Sequence, residues 1–253
     1  MKKYITLAAL LVAGSAFANA AVILPNEDEL LFKYDYSTTS DAPQVNNTGW
    51  TWTHWGTEIP TISDGVASFS NGGPYTSGDV AFNPKEFTLS FDIKSVTNTS
   101  NGVIFAYGNG AQGTDYFAVV ATTSSISLLD MSTSVNIDYY NITEGTTVLT
   151  ASGLDLSSDI AKSVVVSNSS EQVFISVNGE IVATTSNASI ASIDNASAHF
   201  CTGAVFGGGL GKINGTLDNI AFYKASSIPE PSAFGLLAGL GALALVGTRR
   251  RRK

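Results

Sequence analysis

The chain has 253 residues, of which 13% are charged, and its formal net charge is −8. Residues 21–225 contain 20 of the 21 acidic residues but only six lysines. That part of the chain has a formal charge of −14, which excludes nucleic acid as a partner because such binding requires clustered cations. A single cysteine, Cys201, excludes an intramolecular disulfide and a cysteine-based zinc site, and we expect its thiol to be buried.

The first 20 residues have the parts of a secretory signal peptide. Residues 2–3 are lysines, residues 5–17 are apolar, and residues 18–20 read Ala-Asn-Ala, the small side chains that signal peptidase requires. We predict cleavage between Ala20 and Ala21 and export of the remaining chain. The alternative is an N-terminal anchor, for which the apolar run is too short.

Alternation of apolar and polar residues dominates residues 30–224, and turn-forming segments separate the alternating runs. In FTLSFDIK the apolar residues share one face, as in a half-buried strand: Phe87, Leu89, Phe91 and Ile93. Asn178-Gly179 joins two further strands and is a strong hairpin signal. We therefore predict an all-β fold, an antiparallel two-sheet sandwich over residues 30–224, after a flexible mature N-terminus at residues 21–29.

All three tryptophans lie in the stretch GWTWTHWG. On a strand, Trp50, Trp52 and His54 would share one face. Because aromatic rings stack on sugar rings, an exposed tryptophan pair would form a platform for glycans. The alternative is that the tryptophans fill the core of the sandwich and that His54, like His199, is a packed or surface residue.

Catalytic patterns are missing from the sequence. A glycosidase needs two carboxylates that face each other across the scissile bond, whereas the dense acidic cluster at residues 27–29 precedes the predicted strands. There is no Gly-x-Ser-x-Gly elbow and no phosphate-binding loop. We predict a non-catalytic protein that needs no cofactor. Asp218 is the candidate ligand if Ca²⁺ binds, and its alternative roles are to cap a strand end or to form a hydrogen bond with a neighbouring loop.

The C-terminus has three parts in a fixed order. Pro229-Glu230-Pro231 is followed by an uncharged segment at residues 232–248 and then by five cations: Arg249, Arg250, Arg251, Arg252 and Lys253. As a helix, the uncharged segment would be about 25 Å long, just short of a hydrocarbon core of about 30 Å. Because basic residues stay in the cytoplasm, residues 21–228 would lie on the far side of the membrane.

This C-terminal sequence resembles the PEP-CTERM sorting signal of Gram-negative bacteria. The resemblance implies an exosortase-type membrane protease as a partner, transient insertion of the short transmembrane helix into the inner membrane, and removal of the tail near the motif. It also implies delivery to the cell envelope or surface. The alternative is a plain single-pass anchor on a chain that still ends in Lys253.

Five segments between residues 30 and 224 resemble, in this order, the laminin-G-like jelly roll of concanavalin A-like lectins and glucanases. They are LLFKYDYS, VASFSNGGPY, FTLSFDIKSV with GVIFAYG, VFISVNGEIVA and GTLDNIAFYK. The family's usual Trp-His pair and C-terminal cysteine pair are missing. The resemblance implies an exported protein that binds carbohydrate or matrix polysaccharide. A structural envelope or biofilm-matrix protein is the alternative, and a glycoside-active enzyme is a more distant one.

Overall fold

In the residues that the computed structural model describes, the chain is all-β apart from one short 3₁₀ helix at Glu27–Glu29. The structure describes these residues: 22–38, 42–54, 60–70, 72–78, 80, 82–83, 85–108, 117–131, 136–138, 141–142, 146–186, 190, 198–204 and 210–229. The predicted signal peptide, with Ala20 and Ala21, and the tail from Glu230 onward lie outside them. Within these ranges, no helix is both long and apolar enough to cross a membrane.

The described residues contain 21 strands. The first eleven are β1 Val22–Ile23, β2 Leu30–Tyr34, β3 Val45–Asn46, β4 Trp52–Thr53, β5 Thr61–Ser63, β6 Val66–Phe69, β7 Tyr75–Thr76, β8 Phe87–Lys94, β9 Gly102–Gly108, β10 Phe117–Thr122 and β11 Ser125–Asp130. The others are β12 Asn136–Asp138, β13 Asn141–Ile142, β14 Thr146–Ser152, β15 Lys162–Asn168, β16 Gln172–Val177, β17 Glu180–Ser186, β18 His199–Thr202, β19 Gly211–Lys212, β20 Gly215–Tyr223 and β21 Ile228–Pro229.

Two large sheets form a sandwich. One has eight strands in the order β14-β11-β10-β9-β18-β7-β4, with β19 beside β9. The other has nine strands in the order β17-β16-β15-β8-β20-β2-β3, with β6 beside β20 and β5 beside β6. All these pairs are antiparallel except β19 with β9. The strand orders place distant parts of the chain side by side, as the predicted two-sheet sandwich requires.

Phenylalanine rings from both sheets form the centre of the core. On β20, Phe222 has its ring centroid 5.1 Å from that of Phe105 on β9 and 5.1 Å from that of Phe200 on β18. Phe32 on β2 lies 5.5 Å from Phe222 on the same sheet. Aromatic pairs at such distances contribute about 0.5–1.5 kcal/mol each beyond the area they bury, so these rings hold the two sheets together.

The longest sequence patterns are confirmed. The four apolar residues predicted to share one face of β8 are all buried in the core. At the predicted hairpin between β16 and β17, Asn178 has φ 51° and Gly179 has φ 81°, the positive values that a type I′ turn requires. The thiol of Cys201 is buried on β18, as expected.

Strands lie on both sides of residues 30–224, where the alternation in the sequence places the sandwich. The part of the chain that the structure describes reaches from β1 at Val22 to β21 at Pro229. The predicted flexible residues 21–29 contain β1 and the 3₁₀ helix, and β1 pairs with β21 beyond the other boundary. Strands of two residues are too short to produce a recognisable alternation, so the sequence pattern could not mark them.

Candidate functional site

Trp52 belongs to the hydrophobic core. Only 6% of its surface is exposed. Its ring meets Phe32 edge-on at a centroid distance of 4.7 Å and Tyr34 at 5.6 Å. The predicted glycan platform is therefore wrong at Trp52, because core rings and not solvent surround the indole. The position of Trp52 agrees with the alternative, in which this tryptophan fills the core of the sandwich.

Trp50 is half-buried just before β4. One side of its ring stacks on Phe200, with centroids 5.1 Å apart and an interplanar angle of 27°. Two neighbours fix its backbone: the Asn46 side-chain amide donates to the Trp50 carbonyl at 2.8 Å, and the Trp50 N–H donates to the Thr48 hydroxyl at 3.1 Å. Trp50 thus keeps part of its ring accessible, while His54 is also half-buried. Sugar contact by either residue stays a prediction.

An open polar groove of about 620 Å³ lies where β16 begins and β17 ends. Its lining consists of a carboxylate, an amide and three hydroxyls: Glu171, Gln172, Thr184, Thr185 and Ser186. Gln172 pairs with Ser186 in the strand register, and its Nε2 donates to the Thr184 Oγ1 at 2.8 Å. Because β17 is the edge of the nine-stranded sheet, this groove opens at the side of the sandwich.

Sequence reasoning missed the groove residues. The sequence QVFISVNGEIVATT predicts a hairpin but no binding site, because no motif distinguishes its polar residues from those of any solvent-facing strand. The predicted hairpin brings its two ends together, but the register shift between Ile175 and Ser176 sets which residues meet there, and it pairs Gln172 with Ser186.

Asp218 lies directly opposite Asp92 in the register of β20 and β8. The bulge that follows Asp218 places Asn219 at φ 49°. There the Asn219 Nδ2 donates to Oδ2 of Asp92 at 2.9 Å and to Oδ2 of Asp218 at 3.2 Å. The Asn219 backbone N–H donates to the Asp218 Oδ1 at 2.7 Å. Both carboxylates therefore accept hydrogen bonds from Asn219 within β20 itself, and a calcium-ligand role for Asp218 stays a prediction.

Burial raises the pKa of Asp218, and the negative charges of Asp92 and Asp35 raise it further, against a lowering by the Asn219 N–H. Within the described ranges, no group of three or more His, Cys, Asp or Glu residues could hold a metal ion. The raised pKa of Asp218 thus has a structural cause, first the burial of its carboxyl group and then the like charges beside it.

Asp218→Asn is expected to stabilise the protein at pH 7, by about 0.2–1 kcal/mol, because it removes one of two like charges that face each other across strands. The folded pKa lies above the usual value of 3.8. The ionised Asp218 therefore costs stability once the pH rises above 3.8 and through the folded pKa. Thermal unfolding at pH 7 and at pH 4 tests this, and a gap between variant and wild type that widens at pH 4 would contradict it.

Comparison with known proteins decides the nature of the C-terminus. Residues 227–252 match the family model of the PEP-CTERM protein-sorting motif. The chain carries a PEP-CTERM sorting motif. The match contains the predicted Pro229, Glu230 and Pro231, and it confirms the predicted resemblance. No curated protein matches the chain.

Several solved structures resemble the chain in fold. The binding domain of Paraclostridial Mosquitocidal Protein 1 has a TM-score of 0.52 at 14% identity, over 79% of this chain and 50% of that one. Trypanosoma rangeli sialidase in complex with sialic acid has a TM-score of 0.51 at 11% identity, over 81% and 33%. The Emp47p carbohydrate recognition domain has a TM-score of 0.49 at 9% identity, over 80% and 100%.

The chain thus spans about half of the toxin domain and a third of the sialidase. At identities of 14% and 11%, the likeness shows the fold alone. The two likenesses with TM-scores above 0.5 confirm the predicted jelly-roll sandwich as a fold. What the neighbours bind or cleave belongs to those proteins.

Proposed function

We propose that the sandwich is a non-catalytic, surface-sorted module that binds carbohydrate. The polar groove at the β16–β17 edge is the observation that carries this proposal. Sugars present hydroxyls that both donate and accept hydrogen bonds, and the groove offers an amide, a carboxylate and hydroxyls to match them. The lectin-like fold and the sorting motif support the same role, since both are typical of proteins that act outside the cell.

The groove chemistry favours binding over hydrolysis. A retaining glycosidase places two carboxyl groups about 5–5.5 Å apart, and an inverting one about 6.5–9.5 Å apart. Among the five residues that line the groove, Glu171 alone has a carboxylate. An open groove at a sheet edge also suits a polymer that lies across it. We therefore infer a polysaccharide rather than a small sugar as the ligand.

Gln172→Ala and Thr184→Ala are expected to weaken polysaccharide binding about three- to tenfold each, because each removes a hydrogen-bonding group from the groove. The matched control is Thr61→Ala, an exposed threonine on β5 far along the chain from the groove. Affinity gel electrophoresis on residues 21–230 measures the effect, since this range covers the compact unit. Binding that is unchanged in both groove variants would contradict a ligand site there.

The route to the surface is the second part of the proposal. The signal peptide would export the chain, an exosortase-type protease would recognise the sorting motif, and the inner membrane would hold the tail until its removal. The match at residues 227–252 supports this route, because a sorting motif is a recognition signal. The mass of the mature protein tests it: the route predicts an N-terminus at Ala21 and loss of Lys253.

A further inference from the structure

The segment after β20 stays bound to the domain by hydrogen bonds and an ion pair. The Lys224 backbone N–H donates to the Glu29 carbonyl at 3.0 Å, and the Lys224 Nζ lies 3.5 Å from the Glu29 Oε2. One residue later, the Ala225 carbonyl accepts a hydrogen bond from the Thr88 Oγ1 at 2.8 Å. The segment that connects the domain to the sorting motif is therefore fixed to β8 and to the residue before β2.

Two buried hydroxyls, those of Thr88 and Ser167, then hold Ser227, the first residue of the matched motif. Ser227 is only 6% exposed, and its N–H donates to the Ser167 Oγ on β15 at 2.9 Å. The Thr88 Oγ1 lies 3.1 Å from the Ser227 Oγ and 3.4 Å from the Ser167 Oγ. This cluster explains why Thr88 and Ser167 are buried although they lie on the polar side of their strands. We name Thr88, Ser167 and Ser227 the hydroxyl cluster.

The next two residues form β21 and pair with β1. Ile228 is opposite Ile23, and Pro229 is opposite Val22, in an antiparallel register. The start of the sorting motif thus lies in the folded unit. The opposite strand, β1, begins two residues after Ala20, where signal peptidase is predicted to cleave. Both ends of the mature domain therefore meet in one strand pair.

We propose that β1 and the hydroxyl cluster form a latch, which keeps the start of the sorting motif paired and bound in the folded unit. Processing by the protease then requires β21 to separate from β1. The proposal rests on the proposed sorting route. A protease binds its substrate as an extended segment, so a bond beside a paired strand is reached only after local opening. A two-residue strand pair is marginal by itself, which lets the latch open without unfolding of the core.

Ile23→Pro tests the latch, because proline removes the backbone N–H at the β1 position that pairs with Ile228, while the side chain it replaces is half-exposed and outside the core. Ile23→Ala is the matched control, since it removes the same apolar side chain and keeps the N–H. Hydrogen exchange is measured at the Ile228 amide of the purified full chain. Exchange is expected to be about three- to tenfold faster in Ile23→Pro than in wild type and Ile23→Ala.

The same three chains are then followed by pulse-chase and mass spectrometry in a bacterium that has an exosortase. Loss of the tail is expected to be about three- to tenfold faster in Ile23→Pro, in proportion to the opening of the strand pair. Equal exchange in all three chains would overturn the latch. Faster exchange with unchanged or slower processing would also overturn it. Retention of Lys253 by the wild type would instead refute the sorting route itself, a result visible without any variant.

Discussion

Phe222→Ala is expected to lower the free energy of unfolding by about 3–5 kcal/mol, the usual cost of removing a buried aromatic side chain. The Phe222 ring is fully buried on β20, and it contacts rings of both sheets. Its aromatic neighbours lie at centroid distances of 5.1–6.2 Å: Phe32, Phe82, Phe87, Phe105, Phe117 and Phe200. Because these rings are close-packed, they relax only partly into the space left by the substitution. The loss of unfolding free energy is therefore expected at the upper end of the range.

Ile160→Ala is the control for this effect, because 71% of Ile160 is exposed and its truncation should change stability by less than about 0.5 kcal/mol. Urea denaturation of residues 21–230, followed by tryptophan fluorescence, measures both. A loss below about 1 kcal/mol for Phe222→Ala, with an unchanged m-value, would show that this ring is not at the centre of the core.

Trp52→Ala is expected to cost about 3–5 kcal/mol as well, because its indole fills the space beside Phe32 and Tyr34. Trp50→Ala is expected to cost less, since its ring is only half-buried, although it stacks on Phe200 and lies 6.5 Å from Phe32. The two substitutions separate a packing role from a binding role, because a core residue affects binding only through unfolding.

Denaturation and polysaccharide binding are measured on the same two variants. We expect Trp52→Ala to be strongly destabilised and Trp50→Ala to remain folded at 25 °C. If Trp52→Ala were as stable as wild type and failed to bind, the core position of Trp52 would be contradicted and the platform hypothesis restored. If Trp50→Ala remained folded and lost binding while the groove variants retained it, the ligand site would move from the groove to Trp50.

The fold could be predicted where long strands carry their own signal. The alternation in β8 and the Asn178-Gly179 hairpin both appear in the structure as the sequence indicated. The burial of Thr88 could not be predicted, because it depends on contacts with Ala225 and Ser227. These two residues lie 137 and 139 positions after Thr88 in the sequence. A hydroxyl becomes buried through contacts that local periodicity does not encode.

The candidate site was less predictable than the fold for a related reason. The sequence placed Trp50 and Trp52 on one face, and both rings do pack against Phe32. Periodicity does not say whether that face meets solvent or the opposite sheet. The groove depends on strand register between Gln172 and Ser186, which are fourteen positions apart. The sorting motif was readable because its three parts follow one another directly in the sequence.

The measurement that tests a carbohydrate-binding role most directly is a polysaccharide binding screen on residues 21–230, with Ca²⁺ and with a chelator. We predict saturable binding to a neutral polysaccharide in preference to an acidic one, because the formal charge between residues 21 and 225 is −14. We expect Gln172→Ala to weaken that binding. No binding at all by a protein that unfolds cooperatively would contradict the account and favour a structural role in the envelope or matrix.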